Sequence, residues 1–434
     1  MKSIECFDVA VIGGGPAGLA AAIASSGAGA HTLLIEREPR LGGILKQCVH
    51  DGFGVVRFGE KLAGPEYAQR YINELKTTDV KVSLLTFVDH IEPNGNGFAL
   101  TLVSAGGMRH VQARAVILAT GCRERTARQV AIHGTRPAGV LTAGAAQYYT
   151  NILGQLPGRR CVVLGSGDIG LIMARRLTLE GAMVLGVYEA RPIPSGLPRN
   201  IAQCLNDFDI PLHLSKTVTR CFGHERLQAV EISDVDDKMT PLPGTEEIIE
   251  CDALILSVGL IPENELAETL GAGLHPVTRG PVCDQNGHTC VPGLFSCGNA
   301  AHVNDLVDYV SESGAAAGQA AAVYAMHNAQ CAMQRSCHDR REHNYAEIVV
   351  DSNFLYAMPQ RMDLTGAPEE VVVYFRSRDE RGRTRFFARA GEHVLLKKTF
   401  QQLRPPEMER VTLNLRGADL KPGGKILLEM EAIG

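Results

Sequence analysis

The stretch that decides the fold lies near the start of the sequence, at residues 7–36, and reads FDVAVIGGGPAGLAAAIASSGAGAHTLLIE. An apolar run precedes a glycine turn, and an alanine-rich segment then leads to a second apolar run that ends in Glu36. This order predicts a strand, a turn, a helix and a second strand, which together form one βαβ unit.

The glycine turn of this unit, Gly13–Gly18, has the residue types that the pyrophosphate of a dinucleotide requires. Gly13 permits the tight turn, Gly15 lets the backbone approach the pyrophosphate, and Gly18 lets the helix pack closely on the strand. Glu36 lies eighteen residues after Gly18, where an acidic side chain accepts hydrogen bonds from ribose hydroxyls. The sequence therefore predicts a dinucleotide site at this turn, and the alternative interpretation is a glycine-rich turn in another α/β fold.

The same pattern returns at residues 159–189. A strand, the turn GSGDIG at 165–170, a helix and a strand that ends in Glu189 follow one another. Two such fingerprints, about 150 residues apart, are harder to obtain by chance than one. They predict that two nucleotides meet face to face and that one donates electrons to the other.

Composition and charge disfavour several other classes of function. The 434 residues include 43 basic and 48 acidic ones, and the net charge of −5 disfavours nucleic acid and anionic membranes as partners. Aromatic residues make up 5% and tryptophan is absent, which disfavours a carbohydrate groove or a base-stacking surface. No apolar run reaches the roughly 18 residues of a membrane helix. Twelve scattered cysteines and an N-terminus without a signal pattern predict a reducing, cytoplasmic location.

The whole sequence predicts an α/β protein with two Rossmann-like dinucleotide-binding domains, the second inserted in the first, and a small C-terminal β-sandwich. In the tail, short alternating strands are separated by Gly and Pro turns, which is typical of a sandwich. We hypothesise that this tail is an assembly module. The predicted boundaries are 1–125 and 286–330 for the first domain, 126–285 for the second domain with connecting strands, 331–345 for a linker and 346–434 for the sandwich.

About the first 330 residues resemble the pyridine nucleotide-disulfide oxidoreductases, which are flavoproteins with two dinucleotide domains. The resemblance lies in VAVIGGGPAGLAAA (9–22), LLIERE (33–38), LGG (41–43), VILATG (116–121), the second glycine turn and GLFSCGN (293–299). It implies that the first turn binds FAD, that the second binds NAD(P)H, and that the late motif closes over the ribityl chain of the flavin. The implied FAD-binding residues are Gly13, Gly15, Pro16, Ala17, Gly18, Glu36, Arg37, Gly42, Gly43, Val88, Thr120, Gly121, Gly298 and Asn299. The implied nicotinamide-binding residues are Gly165, Gly167, Asp168, Ile169, Gly170, Glu189 and Gly259.

A narrower resemblance lies in GGILKQCVHDGFG (42–54), LAGPEYAQRY (62–71) and CGNAAHVNDLVDYVSESG (297–314). These segments resemble FAD-dependent components of multisubunit dehydrogenases. Examples are the A subunit of opine oxidase, the B subunit of hydrogen cyanide synthase, the alpha subunit of sarcosine oxidase and relatives associated with glycerol 3-phosphate metabolism. The resemblance implies a small-molecule substrate and partner subunits that could carry another flavin or an iron–sulfur cluster.

Two features depart from the pattern of these flavoproteins. Asn299 stands where they usually have Asp, although an amide oxygen can still accept a hydrogen bond from a ribityl hydroxyl. Disulfide reductases need two cysteines four residues apart after the first Gly-Gly, or a C-x-x-C in the second domain, but in this sequence only Cys48 follows Gly42-Gly43. Disulfide reduction through a dithiol beside the flavin is therefore disfavoured.

Three side chains are candidates for direct chemistry. Cys48 lies just past the Gly-Gly pair, and the alternative interpretation is a small buried hydrophobic residue. His302 and Asp305, with Asp308, are spaced by three, which predicts a shared helix face toward the flavin; the alternative is a solvated or capping cluster. The cysteine spacings give no metal clip, so no metal site is predicted.

The sequence favours an oxidoreductase that transfers hydride between NAD(H) and FAD as one subunit of a larger dehydrogenase. Its substrate would be a small amine, opine or hydroxy compound. The alternative is a non-catalytic flavin-fold subunit for assembly or sensing. Glu189 predicts NAD over NADP because a carboxylate repels a 2′-phosphate, whereas Arg191 could soften that preference.

Overall fold

The computed structural model describes residues 4–95, 97–334, 344–366 and 368–433. They divide into two compact units, of which Arg123–Ile261 is the smaller and the rest of the described chain the larger. The smaller unit is inserted in the larger one, as predicted. The sequence predicts 126–285 for this insertion, whereas residues 262–285 belong to the larger unit, because Ala267 and Ala272 pack in its core.

The helices of both units follow one another along the chain. They are α1 (Pro16–Gly27), α2 (Gly64–Leu75), α3 (Ala143–Asn151), α4 (Asp168–Leu179), α5 (Pro198–Cys204), α6 (Glu265–Thr269) and α7 (Val307–Gln334). Short 3-10 helices lie at Gly43–Gln47, Ala127–Val130, Asn206–Phe208 and Gly298–Ala300. Among the described helices, none combines the length and the apolar character that crossing a membrane requires.

The central sheet of the larger unit contains seven strands. They are β1 (Glu5–Ile12), β2 (Thr32–Ile35), β3 (Lys81–Ser83), β4 (Thr86–Asn94), β5 (Gly97–Ser104), β6 (Gly107–Leu118) and β18 (Leu294–Ser296). Their order is β3-β2-β1-β6-β5-β4, and β18 pairs with the last residues of β6. Strand β1 is parallel to both β2 and β6. The βαβ unit that the sequence predicts at residues 7–36 is therefore confirmed.

Helices α1 and α7 pack against each other through glycines. A Cβ on Gly314 would lie 2.2 Å from the carbonyl oxygen of Ala17, and a Cβ on Gly318 would lie 2.2 Å from that of Ala21. Only glycine allows backbones to approach this closely. Helix α1 begins at the first glycine turn. This contact therefore places the first turns of α7 beside that glycine turn.

The inserted unit contains the second βαβ unit. Its parallel sheet has β10 (Arg160–Leu164) between β11 (Met183–Glu189) and β16 (Ala253–Leu256), with β9 (Val140–Thr142) and β12 (Leu212–Leu214) as the edges. The order of these five strands is β12-β11-β10-β16-β9. A second sheet contains β8 (His133–Gly134), β13 (Lys216–Gly223), β14 (Leu227–Asp234) and β15 (Glu247–Glu250). The remaining strands before the tail are β7 (Cys122–Glu124) and β17 (Leu260–Pro262).

The tail forms two sheets, which confirms the predicted β-sandwich. The strands are β19 (Tyr345–Val350), β20 (Phe354–Met358), β21 (Arg361–Asp363), β22 (Glu370–Ser377), β23 (Thr384–Ala390), β24 (His393–Phe400), β25 (Glu409–Asn414) and β26 (Lys425–Ala432). One sheet has the order β21-β19-β26-β23-β24 and the other β20-β22-β25. Phe375 of the smaller sheet stacks on Phe386 of the larger sheet, with ring centroids 5.1 Å apart, so one core joins both. Residues 335–343, most of the predicted linker, lie outside the described residues, and 331–334 end α7.

Candidate functional site

Two glycines of the first turn are required by the protein's own packing. Gly13 has φ +107°, and a Cβ there would lie 2.3 Å from the carbonyl oxygen of Ala119. A Cβ on Gly18 would lie 1.7 Å from the carbonyl oxygen of Gly13. Any larger residue at either position would displace backbone, so these glycines hold α1 tightly against the strand.

Gly15 differs, because the protein leaves open space beside it. It is the N-cap of α1, no side chain of the described residues caps this helix end, and Pro16 follows at the first turn. Within the part of the chain that the structure describes, a Cβ on Gly15 would have only the Cα of Gly43 within 4 Å, at 3.8 Å. The uncapped amides at this helix N-terminus are the donors that a phosphate group binds. The geometry therefore fits a pyrophosphate above Gly15.

Glu36 is buried at the end of β2 with its orientation fixed by the backbone. Oε2 accepts a hydrogen bond from the Gly14 N–H at 2.7 Å, and Oε1 accepts one from the Glu38 N–H at 2.8 Å. Each oxygen thus has one donor and keeps capacity for a hydroxyl. The neighbouring Arg37 is exposed, and its guanidinium lies 3.4 Å from the Glu263 carboxylate.

The Gly-Gly pair lies directly against the first glycine turn. The N–H of Gly42 donates to the carbonyl of Gly14 at 2.8 Å, and a Cβ on Gly43 would lie 2.9 Å from the Cα of Gly15. Both glycines have positive φ, +109° and +55°. The structure therefore brings Gly42 and Gly43 together with the turn. Val88 lies on β4, whose first residue, Thr86, donates its N–H to the carbonyl of Glu36 at 3.0 Å, and the Val88 side chain is buried in the core.

Cys48 follows this pair at the end of the 3-10 helix. Its Sγ donates to the carbonyl of Ile44 at 3.4 Å, and its own carbonyl accepts from the Gly64 N–H at 2.9 Å. Burial raises the pKa of the Cys48 thiol to about 12. A thiol with such a pKa carries almost no thiolate near neutral pH, so the geometry does not favour Cys48 as a nucleophile.

The late motif reaches the start of α1. Gly298 has φ +60°, and a Cβ on it would lie 2.7 Å from the Cβ of Ala17. Asn299 points its Nδ2 toward Cys122 Sγ at 3.6 Å, while its Oδ1 accepts from the Asn304 N–H at 3.0 Å. The same Oδ1 also accepts from Asn304 Nδ2 at 3.4 Å, so a ribityl hydroxyl would compete with both Asn304 donors for this oxygen.

Thr120 and Gly121 end the loop after β6. The Thr120 hydroxyl donates to the carbonyl of Glu263 at 2.6 Å, and the Glu263 N–H donates to the carbonyl of Gly121 at 3.0 Å. Gly121 has φ +74°, and no atom of the described residues lies within 4 Å of where its Cβ would be. The loop is therefore held by the Thr120 hydroxyl and a backbone hydrogen bond, with open space beside its glycine.

His302 and Asp305 do not share a helix face with Asp308, because α7 begins only at Val307. The prediction of a shared helix face is wrong. The Asn304 N–H donates to Asn299 Oδ1, so residues 302–305 form a turn before the helix. The His302 ring is 4% exposed and lies near Tyr356 and Tyr374 of the tail, with centroids 6.1 Å and 5.8 Å away. Burial, with the nearby positive Arg376, lowers the pKa of His302 to about 3, so the imidazole is neutral. This neutral ring therefore has no proton to donate as an imidazolium acid near neutral pH.

Both carboxylate oxygens of Asp305 contact the tail. One forms an ion pair with Arg376, and the other accepts from the Met408 N–H at 2.6 Å. Asp308 is buried and accepts from the Arg57 N–H at 3.0 Å. Asp305 therefore contacts the tail, whereas Asp308 contacts the backbone at Arg57.

The second glycine turn repeats the backbone geometry of the first. A Cβ on Gly165, which has φ +97°, would lie 2.1 Å from the carbonyl oxygen of Ser257, and one on Gly170 would lie 2.6 Å from that of Gly165. Gly167 is the N-cap of α4 without a side-chain cap, and a Cβ there would meet nothing closer than 3.7 Å. This helix end is therefore also open to an anion.

The flanking residues of the second turn are placed as follows. Asp168 begins α4, and its Oδ1 accepts from the Leu197 N–H at 2.8 Å and from Asn200 Nδ2 at 2.7 Å. Ile169 is 36% exposed beside it. Gly259 has φ +107°, and its carbonyl accepts from the Arg125 N–H at 3.0 Å. These contacts fix the loops that border the turn.

Glu189 is buried at the end of β11 and has more hydrogen-bond donors than Glu36. Its Oε2 accepts from the Ser166 N–H at 3.0 Å, the Ser166 hydroxyl at 2.6 Å and the Ser195 hydroxyl at 2.7 Å. Its Oε1 accepts from the Arg191 N–H at 3.1 Å. Burial by itself raises the pKa of Glu189, but these hydrogen bonds outweigh burial and hold the pKa below its usual value. The group is therefore an anion with one oxygen still able to accept.

Sequence reasoning misses three groups of contacts. Ser195 orients Glu189 from the loop after β11, and Asn304 orients Asn299. Arg376 contacts Asp305 from 71 residues further along the chain. A polar residue close to a fingerprint gives a weak signal for Ser195 and Asn304. No local pattern signals Arg376, because nothing in a strand sequence specifies a partner that far away.

Comparisons with known proteins agree with this geometry. A family model described as pyridine nucleotide-disulphide oxidoreductase matches residues 7–338. The A subunit of opine oxidase from Agrobacterium tumefaciens (strain Ach5) is 26% identical over 318 residues, which cover 69% of this chain and 62% of that protein. The match thus spans less than two thirds of this relative. The glutamate synthase [NADPH] small chain of Mycobacterium tuberculosis (strain H37Rv) is 26% identical over 353 residues, covering 73% and 67%.

A solved structure shows the same fold. Thioredoxin reductase of Lactococcus lactis superimposes with a TM-score of 0.61 at 22% identity, and the match covers 74% of this chain and 99% of that one. Since the identity is low, the likeness concerns architecture alone.

Proposed function

This chain belongs to the pyridine nucleotide-disulphide oxidoreductase family, and from that premise we propose that it transfers hydride between NAD(H) and FAD as one subunit of a multisubunit dehydrogenase. Membership makes it an FAD/NAD(P)-dependent oxidoreductase. The observation that supports the proposal most directly is one arrangement that occurs twice, which we call a cradle. Gly15, the start of α1 and Glu36 form the first cradle, and Gly167, the start of α4 and Glu189 form the second. In each unit an uncapped helix N-terminus lies beside an open glycine, and a buried carboxylate ends the neighbouring strand.

In this proposal FAD binds the first cradle and the nicotinamide cofactor binds the second. The bound cofactors supply the redox chemistry, a hydride exchanged between nicotinamide and flavin. The chain's own residues bind and orient. The amides at the start of α1 hold a pyrophosphate over Gly15, and Glu36 accepts from ribose hydroxyls. In the proposal, Gly43, which lies against Gly15, also contacts FAD, together with Gly121 and Asn299.

We assign NAD rather than NADP to the second cradle. The anionic Glu189 has capacity on Oε1 for a ribose hydroxyl and would repel a 2′-phosphate. A relative named for NADPH shows that NADPH is used within the similar proteins. Arg191 is exposed next to Glu189 and is the side chain able to reduce the preference.

The substrate and partners are proposed by analogy. The opine oxidase relative is a subunit by name, which supports a partner for this chain, one that could carry another flavin or an iron–sulfur cluster. A small amine, opine or hydroxy compound is the substrate class, and the cytoplasm is the location. Disulphide reduction is not proposed, because the sequence has no second cysteine at the required spacing from Cys48 and partial burial raises the pKa of the Cys48 thiol.

Anaerobic addition of NADH to the purified, flavin-loaded protein tests the function. Prompt loss of the flavin's visible absorbance is expected. A flavin that stays oxidised with both NADH and NADPH would instead support the second candidate, a non-catalytic subunit for assembly or sensing. Protein that purifies without flavin and cannot be loaded would contradict the assignment of the first cradle.

A further inference from the structure

The segment from Gly298 to Asp308, which we name the late loop and which ends in the first residues of α7, contacts three other segments of the chain. Gly298 abuts Ala17 in the first turn of α1. Asn299 reaches Cys122 at the end of the loop after β6, and Asp308 binds the Arg57 N–H. Through Gly298 the late loop therefore lies against the start of α1, where the proposed pyrophosphate site is.

The late loop is held from inside by its own polar groups. The Asn304 N–H donates to Asn299 Oδ1 at 3.0 Å, and Asn304 Nδ2 donates to the carbonyl of His302 at 2.9 Å. At its start, the Gly298 N–H donates to the Ser313 hydroxyl at 2.9 Å. These contacts give the loop a compact turn, and the next residue, Asp305, points away from it to the tail.

Asp305 ties this turn to the β-sandwich. Its two oxygens bind the Arg376 guanidinium and the Met408 N–H, and the side chains of Asp305 and Arg376 are 29% and 12% exposed. A largely buried pair is screened little by solvent, and removing one partner leaves the other charge without compensation. The tie is thus stronger than an ordinary surface ion pair.

Arg376 is fixed by its own domain before it reaches Asp305. Its Nε donates to the Tyr356 hydroxyl at 3.0 Å, and its Nη1 donates to the carbonyl of Pro406. The Tyr356 ring in turn lies beside His302 of the late loop. A guanidinium held in this way offers Asp305 a preorganised partner, because little side-chain entropy remains to be lost.

We propose that Arg376 and Asp305 are positioning residues through which the β-sandwich holds the late loop in the conformation that binds the flavin. The proposal rests on occupancy of the first cradle by FAD. It gives the tail a role inside this chain, in addition to the assembly role hypothesised from its sequence. Neither residue is required to touch the cofactor, since Asp305 acts through Asn304 and Asn299.

A second contact between the tail and α7 provides a matched control. Glu312 accepts from Arg410 Nη2 at 2.7 Å and from the Tyr374 hydroxyl at 3.1 Å. It lies on α7 beyond the late loop, and its ion pair is more exposed, with side chains 44% and 34% accessible. Glu312→Gln removes the ion pair with Arg410, while its amide oxygen can still accept from the Tyr374 hydroxyl, so the Tyr374 ring beside His302 keeps its partner.

The test uses the full chain with Asp305→Asn, Arg376→Met, the double variant, and Glu312→Gln as control. FAD affinity is measured by fluorescence titration of deflavinated protein, and the visible spectrum and midpoint potential of the bound flavin are recorded. We expect each single variant to raise the FAD Kd at least tenfold and to alter the flavin spectrum. The FAD Kd of the double variant should be no higher than that of Arg376→Met, because all three variants lose the same contact between Asp305 and Arg376. Glu312→Gln should stay within twofold of the wild type.

Two results would overturn the inference. One is a wild-type Kd, spectrum and potential in folded Asp305→Asn and Arg376→Met. The other is an equal loss of affinity in Glu312→Gln, which would assign the effect to domain attachment in general. If Arg376→Met fails to fold, Arg376→Lys, which keeps the charge, decides between these outcomes. Failure of the proposed function is distinguishable, because then the wild-type protein itself binds no flavin.

Discussion

Glu36 and Glu189 end the second strand of successive βαβ units, yet their carboxylates have different numbers of protein donors. Among the described residues, each oxygen of Glu36 accepts one backbone N–H. Oε2 of Glu189 accepts three hydrogen bonds, from one N–H and the hydroxyls of Ser166 and Ser195. The first carboxylate thus keeps acceptor capacity on both oxygens, whereas the second keeps it mainly on Oε1.

Nucleotide selectivity follows from the charge of Glu189. The wild-type flavin should be reduced at lower concentrations of NADH than of NADPH, because the carboxylate repels a 2′-phosphate. The expected preference corresponds to about 1 to 3 kcal/mol, or roughly five- to over a hundredfold in affinity. Glu189→Gln keeps the shape and should relax the preference, while Arg191→Ala should leave NADH unaffected. Stopped-flow flavin reduction measures both, and faster reduction by NADPH at lower concentration would refute the assignment.

Gly15 and Gly18 should respond differently to the same substitution. Gly15→Val leaves protein atoms at ordinary contact distance, since the nearest lies 3.8 Å from the Cβ position, but it fills the space assigned to the pyrophosphate. It should purify folded and colourless. Gly18→Val forces a Cβ to 1.7 Å from the Gly13 carbonyl oxygen and should destabilise the fold itself. Circular dichroism and the flavin-to-protein absorbance ratio separate the outcomes, and a fully flavinated Gly15→Val protein would count against the site.

The buried His302 should make stability depend on pH. Its pKa is about 3 in the folded protein and about 6.5 in an unfolded chain, so the unfolded state binds more protons between these values. Stability therefore falls as pH decreases below about 6.5, with a limiting slope near 1.4 kcal/mol per pH unit from this group. Burial raises the pKa of Asp284 to about 6 in the folded protein. Between its usual pKa and 6 the folded state binds more protons at this group, so Asp284 makes stability rise as pH decreases.

A variant isolates the contribution of His302. In urea titrations at pH 7 and pH 5, His302→Phe should lose less free energy of unfolding on acidification than the wild type, because Asp284 is common to both. The Phe ring also removes Nδ1, which has no hydrogen-bond partner among the described residues. Equal losses in the two proteins would show that His302 does not titrate as inferred.

Thiol reactivity tests the interpretation of Cys48. Its raised pKa and partial burial predict slow alkylation at pH 7.5, whereas the exposed Cys6 and Cys290 should react first. Cys48→Ala should also retain flavin reduction by the nicotinamide cofactor. Peptide mapping by mass spectrometry after brief maleimide treatment measures the order in which the cysteines are alkylated. Early labelling of Cys48 together with loss of flavin reduction would support a catalytic role for Cys48.

The parts of the structure that local patterns specify could be predicted, and the contacts between distant residues could not. Both βαβ units follow from apolar periodicity and glycine spacing, and the alternation after residue 345 predicts the sandwich. The helix predicted from His302 begins only at Val307, because the side chain of Asn299 accepts a hydrogen bond from Asn304 and the chain forms a turn there. Asp305 is predicted near the flavin, but its partner Arg376 lies on a strand of another sheet. Tertiary partners of this kind outweigh spacing along a helix.

The pairing of β18 with β6 has a consequence for synthesis on the ribosome. Ile117 of β6 pairs with Phe295 of β18, and the whole inserted unit lies between them in the chain. Chains emerge from the N-terminus, so the edge of β6 at residues 116–118 stays unpaired and α1 lacks α7 until the insertion has been translated. The nascent first domain therefore exposes a strand edge and an apolar helix face, which are binding sites for chaperones. Stalled chains ending before residue 290 should be digested by protease around β6, and chains with α7 fully emerged should resist.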